Sequence, residues 1–331
     1  MRERLRVVQV GCGGIGGAHL ALLREREDVQ VVGACDIDAT VLAPLGEAGI
    51  PTFTDHRALL REVEAECAIV SLPHYLYADV VNSALRAGLH VLKEKPFART
   101  LDDARSMREA ARETGRLLMV AGQAKHYPSF RRARALLDAG ACGKLLVCRG
   151  VITYFWGAAA AGAWSWRGEH AKSGGVAVID SGWHILDLVH WYCGAPTRVS
   201  CFLGRGRALP GEYDVDDRAV LILEFESGAV ADVTCCFITQ PGNRQVVLHG
   251  LEGSLDVTAE RLIRSGADGV AQTEDFSEGS HSLAPQLDAF LAAVRSGEVP
   301  SSASEEAYQV QRIIDAAYRS ARSGRAEELT P

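Results

Sequence analysis

The first 122 residues alternate short apolar runs with stretches of helical periodicity. The spans 78–88 and 101–115 place apolar residues three or four positions apart, which is typical of helices with one buried face. Continuous apolar strands that alternate with such helices indicate a parallel sheet covered on both faces, so we predict an α/β domain over 1–122. The apolar runs that carry this prediction are 5–10, 29–36, 65–72, 89–96 and 116–122.

From residue 123 onward the pattern changes to longer runs with alternating polar and apolar positions. Ser227 and Gly228 join two of these runs and predict a hairpin turn. We therefore predict an α+β domain over 123–331 with a mostly antiparallel, open sheet, and we interpret the polar stretch 266–282 as a loop. The predicted strands are 144–155, 198–206, 218–227, 229–239 and 244–250, and the predicted helices are 128–139, 283–295 and 303–322.

Composition and charge exclude several classes of protein. A length of 331 residues suits two domains, and a net charge of −7 lacks the basic excess of a sequence-independent nucleic-acid binder. No run of about 18 apolar residues predicts a membrane span. Nine cysteines, an odd number in a long chain, argue against a disulfide framework and for a reducing compartment. The expected location is the cytoplasm, with neither nucleic acid nor membrane as partner.

The segment Gly11–Gly16 forms a G-x-G-x-x-G motif directly after a predicted strand and before a predicted helix. Its glycines allow a tight turn and a close approach of the backbone to a pyrophosphate, which the helix N-terminus then binds. Asp36 ends the next strand 20 residues after Gly16, where a carboxylate binds an adenosine ribose and repels a 2′-phosphate. The motif predicts NAD rather than NADP, although Asp36 as a merely solvated strand-end residue stays open.

Two further segments resemble a known family. Ala87–Pro96 (AGLHVLKEKP) is similar to the AGKHVLxEKP segment of the Gfo/Idh/MocA oxidoreductases, and Gly174–His184 is similar to their GG-x-x-x-D-x-G-x-H segment. The resemblance covers essentially the full chain. It implies a Rossmann dinucleotide-binding domain followed by a domain that binds substrate and whose open sheet serves as an oligomer interface. It also implies sugar or cyclitol substrates that react at one carbinol carbon.

Lys95, Asp180 and His184 match the catalytic positions of that family. Hydride transfer from a secondary alcohol requires a base for the hydroxyl proton, and histidine can exchange a proton near neutral pH. Lys95 follows a strand end and could polarise the substrate oxygen, whereas Asp180 lies four residues before His184 and could orient it. Alternatives stay open for each residue: a solvated lysine, a helix N-cap and a core histidine.

Position after a strand end, together with the resemblance, extends the predicted site. In this sequence, His74 stands where asparagine is common in the family and Tyr77 where histidine is common. The predicted cofactor-binding residues are Gly11, Cys12, Gly13, Gly14, Ile15, Gly16, Asp36, Ser71, Leu72, Pro73, His74, Tyr77, Glu94, Lys95, Pro96, Gln123 and Trp166. The predicted substrate-binding residues are Lys95, Lys125, Tyr127, Tyr154, Arg167, Asp180 and His184.

The sequence thus predicts an NAD(H)-dependent oxidoreductase that acts on a sugar, amino sugar or cyclitol as a homodimer or homotetramer. We expect no metal, because no cysteine or histidine spacing matches a zinc motif. Two alternatives remain at this point. One is an enzyme with tightly bound NAD that uses transient oxidation for elimination or glycoside cleavage, and the other is a non-catalytic NAD-binding regulator.

Overall fold

A computed structural model of the chain describes residues 4–157, 164–204, 211–278, 282–298 and 303–329. The chain forms two compact units: Met1–Ala121 with Gln286–Tyr308, and Gly122–Pro285 with Gln309–Pro331. The segment 286–308 thus belongs to the first unit, although the sequence predicts one domain over 123–331. Among the described residues, no helix combines the length and apolar character that crossing a bilayer requires.

The first unit is built on a six-stranded parallel sheet in the order β3-β2-β1-β4-β5-β6. The order in which the strands are added to the sheet reverses between β1 and β4, and ligands bind outside the carboxyl ends of strands at such a point. The strands are β1 (Leu5–Val10), β2 (Val29–Cys35), β3 (Thr52–Phe53), β4 (Cys67–Val70), β5 (His90–Lys93) and β6 (Leu118–Val120). The helices are α1 (Ile15–Arg24), α2 (Ala39–Glu47), α3 (His56–Glu62), α4 (Tyr77–Arg86) and α5 (Leu101–Thr114).

The returning segment joins the first unit through its apolar face. One core cluster contains Val7 of β1, Ile69 of β4 and Leu92 of β5 together with Leu287 and Phe290. Each of these side chains is at most 1% exposed. Burial of apolar surface, which no local pattern near residue 122 reveals, therefore brings 286–308 back to the first sheet.

The second unit contains a nine-stranded sheet in the order β14-β13-β12-β11-β7-β10-β9-β8-β15. Among the described strands of this sheet, only β7 and β10 pair in parallel, which confirms the predicted mostly antiparallel sheet. The strands are β7 (Leu145–Phe155), β8 (Pro196–Gly204), β9 (Arg218–Phe225), β10 (Val230–Cys236), β11 (Ile238–Gly250), β12 (Gly253–Thr258), β13 (Arg261–Gly266), β14 (Ala271–Asp275) and β15 (Glu327–Glu328).

The predicted loop 266–282 is wrong in part, because β14 lies within it. Within the part of the chain that the structure describes, this edge strand pairs only with β13, and it is almost entirely exposed. Its polar sequence, Ala-Gln-Thr-Glu-Asp, carries no apolar alternation, and edge strands of this kind give little signal in a sequence.

A long apolar helix packs on the inner face of the second sheet. It is α8 (Gly182–Cys193), preceded by a π-helical turn at Ala177–Ser181. Gly150 of β7 allows the close approach, since a Cβ there would lie 2.9 Å from Ile185 and 3.1 Å from Val189. The remaining helices are α6 (Pro128–Asp138), α7 (His170–Ser173), α9 (Ala284–Ser296) and α10 (Ser304–Ser323).

Candidate active site

The glycine motif forms a tight turn between β1 and α1. Gly11 has φ +84°, and a Cβ there would lie 2.0 Å from the carbonyl oxygen of Ser71. A Cβ on Gly16 would lie 2.0 Å from the carbonyl oxygen of Gly11. These approaches are far shorter than any van der Waals contact, so only glycine fits at either position.

The outer side of the same turn is open. A Cβ built on Gly13 or Gly14 would meet no described atom within 4 Å. Gly14 precedes α1 without a side-chain cap, and the first turn of α1 contains no acidic residue. The N–H of Gly16 donates to the carbonyl of Gly13 at 2.9 Å, and no described side chain caps this end of the helix, so an anion can approach its first turn. Open glycines in front of an uncapped helix N-terminus fit the pyrophosphate of a dinucleotide.

Asp36 lies at the carboxyl end of β2 and is half-buried. The N–H of Cys12 donates to Oδ2 at 2.7 Å, and the N–H of Asp38 donates to Oδ1 at 2.9 Å. The carboxylate is thus oriented by the glycine turn on one side and by the following loop on the other. Each oxygen retains a further lone pair, which fits a ribose hydroxyl as donor.

Ser71, Leu72, Pro73 and His74 follow β4 beside the glycine turn. The N–H of Ser71 donates to the carbonyl of Val10 at 2.8 Å, which continues the pairing of β4 with β1. His74 is buried, and its ring stacks on that of Tyr77 with centroids 6.2 Å apart. Tyr77, at the start of α4, donates its hydroxyl hydrogen to the carbonyl of Lys95 at 3.5 Å.

The Glu94–Pro96 segment follows β5 at the same edge of the sheet. Glu94 is buried, and its Oε1 lies 2.9 Å from Nε2 of buried His19. Its Oε2 accepts the backbone N–H of Lys95 at 3.3 Å. The Lys95–Pro96 peptide is cis. Glu94 therefore links His19 to the backbone of Lys95, whose side chain is half-buried.

Lys93 also belongs to this segment and is not among the residues predicted from the sequence. It is fully buried, and its ammonium group donates to the carbonyls of Glu94 at 2.6 Å, of Pro96, and of Phe97 at 3.0 Å. The ammonium lies 3.4 Å from the ring centroid of Tyr77. Burial lowers the pKa of Lys93 well below its ordinary value. The available signal was a lysine inside an otherwise apolar strand.

In the second unit, Asp180 is the centre of a charged group. It lies in the π-helical turn, is 3% exposed, and accepts a hydrogen bond from Nε of Arg167 at 2.9 Å. The half-buried side chain of His184 follows one turn later, in α8. Ser181, not Asp180, is the residue that precedes α8. The carboxylate of Asp180 thus binds the guanidinium of Arg167. The alternative that Asp180 is the N-cap of this helix is wrong.

The π-helical turn is supported by Asp216, a second residue that sequence analysis missed. The N–H groups of Val176 and Val178 donate to its carboxylate at 3.0 and 2.9 Å, and Tyr318 donates its hydroxyl hydrogen at 3.1 Å. Burial raises the pKa of Asp216, and these hydrogen bonds oppose that rise. Asp216 thereby ties α10 to the turn that carries Asp180.

Arg167 lies against two tryptophan rings. Its guanidinium carbon is 4.4 Å from the ring centroid of Trp166 and 5.6 Å from that of Trp156. Tyr154, on β7, is half-buried. Burial raises its pKa above the ordinary value, Asp180 adds to the rise, and Arg167 opposes it. Tyr154, Arg167 and Asp180, all predicted to contact substrate, therefore form one electrostatic group.

Gln123, Lys125 and Tyr127 occupy the segment before α6. Lys125 is 3% exposed, and its ammonium lies 2.7 Å from Oδ1 of Asp187, a buried residue of α8. Tyr127 is 1% exposed and its hydroxyl accepts a hydrogen bond from Gln123 at 2.7 Å. Lys125 and Tyr127 thus have internal partners, and their contact with substrate stays a prediction. Asp187 was not selected from the sequence.

Most of the predicted residues therefore fall into two sets, and Gln123, Lys125 and Tyr127 lie outside both. The first unit brings together the glycine turn, Asp36, Ser71–His74, Tyr77 and Glu94–Pro96 at the carboxyl edge of its sheet. The second unit brings together Tyr154, Arg167, Asp180 and His184, with Trp166 beside Arg167. Within the described ranges, no three His, Cys, Asp or Glu side chains are grouped as a metal ion would require.

Two family models match the chain, one in each unit. Residues 5–122 match the oxidoreductase family with an NAD-binding Rossmann fold, and residues 130–256 match the GFO/IDH/MocA C-terminal domain. A levoglucosan dehydrogenase solved with NADH and levoglucosan has a TM-score of 0.90 at 23% identity, over 98% of this chain and 99% of that one. This likeness concerns the fold.

Curated relatives cover nearly the whole chain. The D-xylose 1-dehydrogenase (NADP(+)) 2 of Haloferax volcanii is 31% identical over 331 residues, which is 97% of this chain and 98% of that protein. The scyllo-inositol 2-dehydrogenase (NAD(+)) of Bacillus subtilis is 26% identical over 99% of this chain and 97% of its own length. The two matched domains, in this order and with these relatives, show that the chain belongs to the Gfo/Idh/MocA family of NAD-binding oxidoreductases.

Proposed function

We propose that the protein interconverts a secondary alcohol and a ketone on a sugar, amino sugar or cyclitol, with NAD(H) as cofactor. The observation that carries the proposal is the presence of Lys95, Asp180 and His184, with the carboxylate of Asp180 held by Arg167 at 2.9 Å. The dehydrogenases named above act on a pentose and on an inositol, which supports this substrate class.

The chain's own residues supply binding and proton transfer. Gly11–Gly16 and the N-terminus of α1 bind the pyrophosphate, and Asp36 binds the adenosine ribose. The bound nicotinamide supplies a hydride acceptor or donor. Lys95 donates a hydrogen bond to the reacting oxygen and lowers the cost of its negative charge, while His184 takes up or returns the hydroxyl proton. Asp180 orients the substrate and His184 while Arg167 holds its carboxylate in place.

Asp36 leads us to propose NAD as the preferred cofactor. A 2′-phosphate would add about two negative charges beside this carboxylate, whereas a free ribose hydroxyl donates to it. The Haloferax relative is named for NADP(+), so the family contains both preferences. The N–H groups of Cys12 and Asp38, which donate to the Asp36 carboxylate, partly offset its negative charge. The preference for NAD over NADP is therefore measured in the test below.

We further propose a homodimer or homotetramer that assembles through the outer face of the nine-stranded sheet. This face exposes a group of apolar side chains on neighbouring strands. Isolated apolar residues are common on protein surfaces, whereas a contiguous group of them marks an interaction site. All nine cysteines are free, which supports a reducing compartment such as the cytoplasm. The exposed apolar residues are Val147, Phe202, Val220, Ile222 and Val230.

The test is a turnover screen of sugars, sugar acids and cyclitols in both directions, with NAD(H) and NADP(H) in parallel. Lys95→Met and His184→Asn should each lower kcat at least about a hundredfold, while NADH binding stays within a few-fold. Lys144→Met, at an exposed lysine of the second unit, is the matched control and should keep the wild-type rate.

Two outcomes would contradict this proposal. Wild-type turnover by both variants would remove Lys95 and His184 from proton transfer. Product release without net change in NADH, from enzyme that purifies with its cofactor, would assign transient oxidation instead of net oxidation.

A further inference from the structure

Arg244 lies on the inner face of the second sheet, where arginine is uncommon. It is on β11 and pairs with Ile152 of β7, so the two side chains point to the same face. Ile152 is 3% exposed, and Gly150, two residues earlier on that face, lies against α8. Arg244 therefore points toward the helix side of the sheet and not toward the open outer face.

The strand register also sets the level of Arg244 along α8. Cys235 of β10 pairs with the same Ile152, and its Sγ would lie 3.0 Å from a Cβ on Gly182, the first residue of α8. The row Cys235–Ile152–Arg244 thus crosses the sheet at the start of α8. Asp180 directly precedes that point, and Tyr154 lies on the same face one step further along β7.

Two of the three guanidinium nitrogens of Arg244 lack a partner within the described part of the chain. Its Nε and Nη1 are buried from solvent and have no hydrogen-bond acceptor there. A buried guanidinium that leaves donors unused costs free energy, because it has lost water without gaining an acceptor. Arg167, by contrast, donates to Asp180 at 2.9 Å.

The chemistry of the guanidinium identifies the missing acceptor. Arg167 has the carboxylate of Asp180 as its counter-ion, whereas Nε and Nη1 of Arg244 have no acceptor within the described residues. Both arginines act on Tyr154, since Asp180 raises the pKa of that hydroxyl and both arginines lower it. A planar guanidinium matches a carboxylate in shape and hydrogen bonding.

We propose that Arg244 is a specificity-determining residue that binds the carboxylate of an acidic sugar, so that the substrate is a uronic or aldonic acid. The inference rests on the proposed oxidoreductase function and narrows its substrate class. Hydrogen bonds to a charged, buried group discriminate strongly, because a substrate without the carboxylate leaves the guanidinium without an acceptor.

The experiment compares acids with their neutral parents: glucuronate with glucose, galacturonate with galactose, and gluconate with glucitol. Binding to the enzyme–NADH complex is followed by NADH fluorescence, and kcat and KM are measured with NAD(H). In the wild type, at least one acid should exceed its parent by about a hundredfold in kcat/KM. Arg244→Gln should remove most of that preference through KM, Arg244→Lys should keep part of it, and Arg261→Gln, at an exposed arginine of β13, should change neither.

Three results would overturn the proposal. One is that every neutral parent binds and reacts as well as its acid. Another is an Arg244→Gln variant that weakens both members of the preferred pair equally, and the third is no binding of any of the three acids at millimolar concentration. Turnover of neutral sugars with NAD in the same assay would leave the oxidoreductase function standing. Loss of NADH binding, or of all polyol turnover, would count against that function separately.

Discussion

The glycine turn depends on close backbone packing, whereas the buried pair of Lys125 with Asp187 depends on the attraction of two charges. In the glycine turn, backbone oxygens approach within 2.0 Å of the positions where a Cβ would stand at Gly11 and Gly16. In the buried pair, an ammonium and a carboxylate lie 2.7 Å apart with side chains 1% and 6% exposed. The first arrangement depends on the absence of side chains, and the second depends on two charges that must both be present.

The difference determines how each region responds to substitution. A steric arrangement fails when any atom is added at the tight positions and tolerates addition at the open ones. A buried ion pair fails when one charge is removed, yet survives when both are replaced by apolar groups of similar volume. These expectations separate the two regions by experiment.

The largest effect is expected for Lys125→Met. This change leaves Asp187 as a buried carboxylate without its counter-ion, and burial already raises the pKa of Asp187. The free energy of unfolding, measured in urea at neutral pH, should fall by about 3–5 kcal/mol. The double variant Lys125→Met/Asp187→Leu should recover most of that loss. Equal losses in the single and double variants would mean that the cost comes from the loss of Lys125 itself and not from leaving Asp187 without its counter-ion.

Gly16→Ala is expected to have the next largest effect, and Gly13→Ala is its matched control. The methyl group at Gly16 meets a backbone oxygen, so we expect a loss of about 3 kcal/mol or more in unfolding free energy. The methyl group at Gly13 meets no described atom, so stability should change by less than about 0.5 kcal/mol.

NADH binding should reveal a cost of Gly13→Ala that stability does not. This variant should fold as stably as the wild type and yet bind NADH more weakly. Because the methyl group of Gly13→Ala occupies the open side of the turn, the Kd for NADH should rise at least about tenfold in a fully folded protein. Unchanged NADH affinity in Gly13→Ala would mean that the cofactor does not approach this side.

Acid pH should affect the region around the Lys125 pair more than the glycine turn. Burial lowers the pKa of His126 and of His190 to about 4, and Lys125 adds to both shifts. Both side chains stay neutral in the folded chain while the unfolded chain takes up protons near pH 6.5. Their stabilising contribution is therefore present above pH 6.5 and is lost as pH falls toward 4.

The size of this effect is about 1–2 kcal/mol for each histidine, after discounting for partial exposure. Urea unfolding at several pH values between 4 and 7 measures it. The double variant His126→Gln/His190→Gln should show a flatter pH dependence than the wild type over this window. An identical slope in both proteins would assign the acid sensitivity to other groups.

The same contrast explains which features were predictable from the sequence. The glycine turn, Asp36 and the segment that ends in Lys95 each lie within a few residues of a strand end, so local pattern places them. Asp187 and Arg244 depend on which strands and helices pair, and no short pattern specifies that pairing. The segment 286–308 shows the same limit, since its apolar face is compatible with either unit until packing is known.

The smallest effect is expected for a substitution of Asp36. This charged side chain contacts the glycine turn through the N–H of Cys12. Asp36→Asn removes the charge and keeps an acceptor for the N–H of Cys12, so the glycine turn should stay intact. We expect kcat/KM with NADP to rise about tenfold and that with NAD to fall by a similar factor, about 1.4 kcal/mol each. Asp38→Ser, which retains a cap for α2, is the control and should leave the ratio unchanged. An NADP/NAD ratio that Asp36→Asn does not alter would make the carboxylate a structural element of the turn, and cofactor preference would then have to come from other residues.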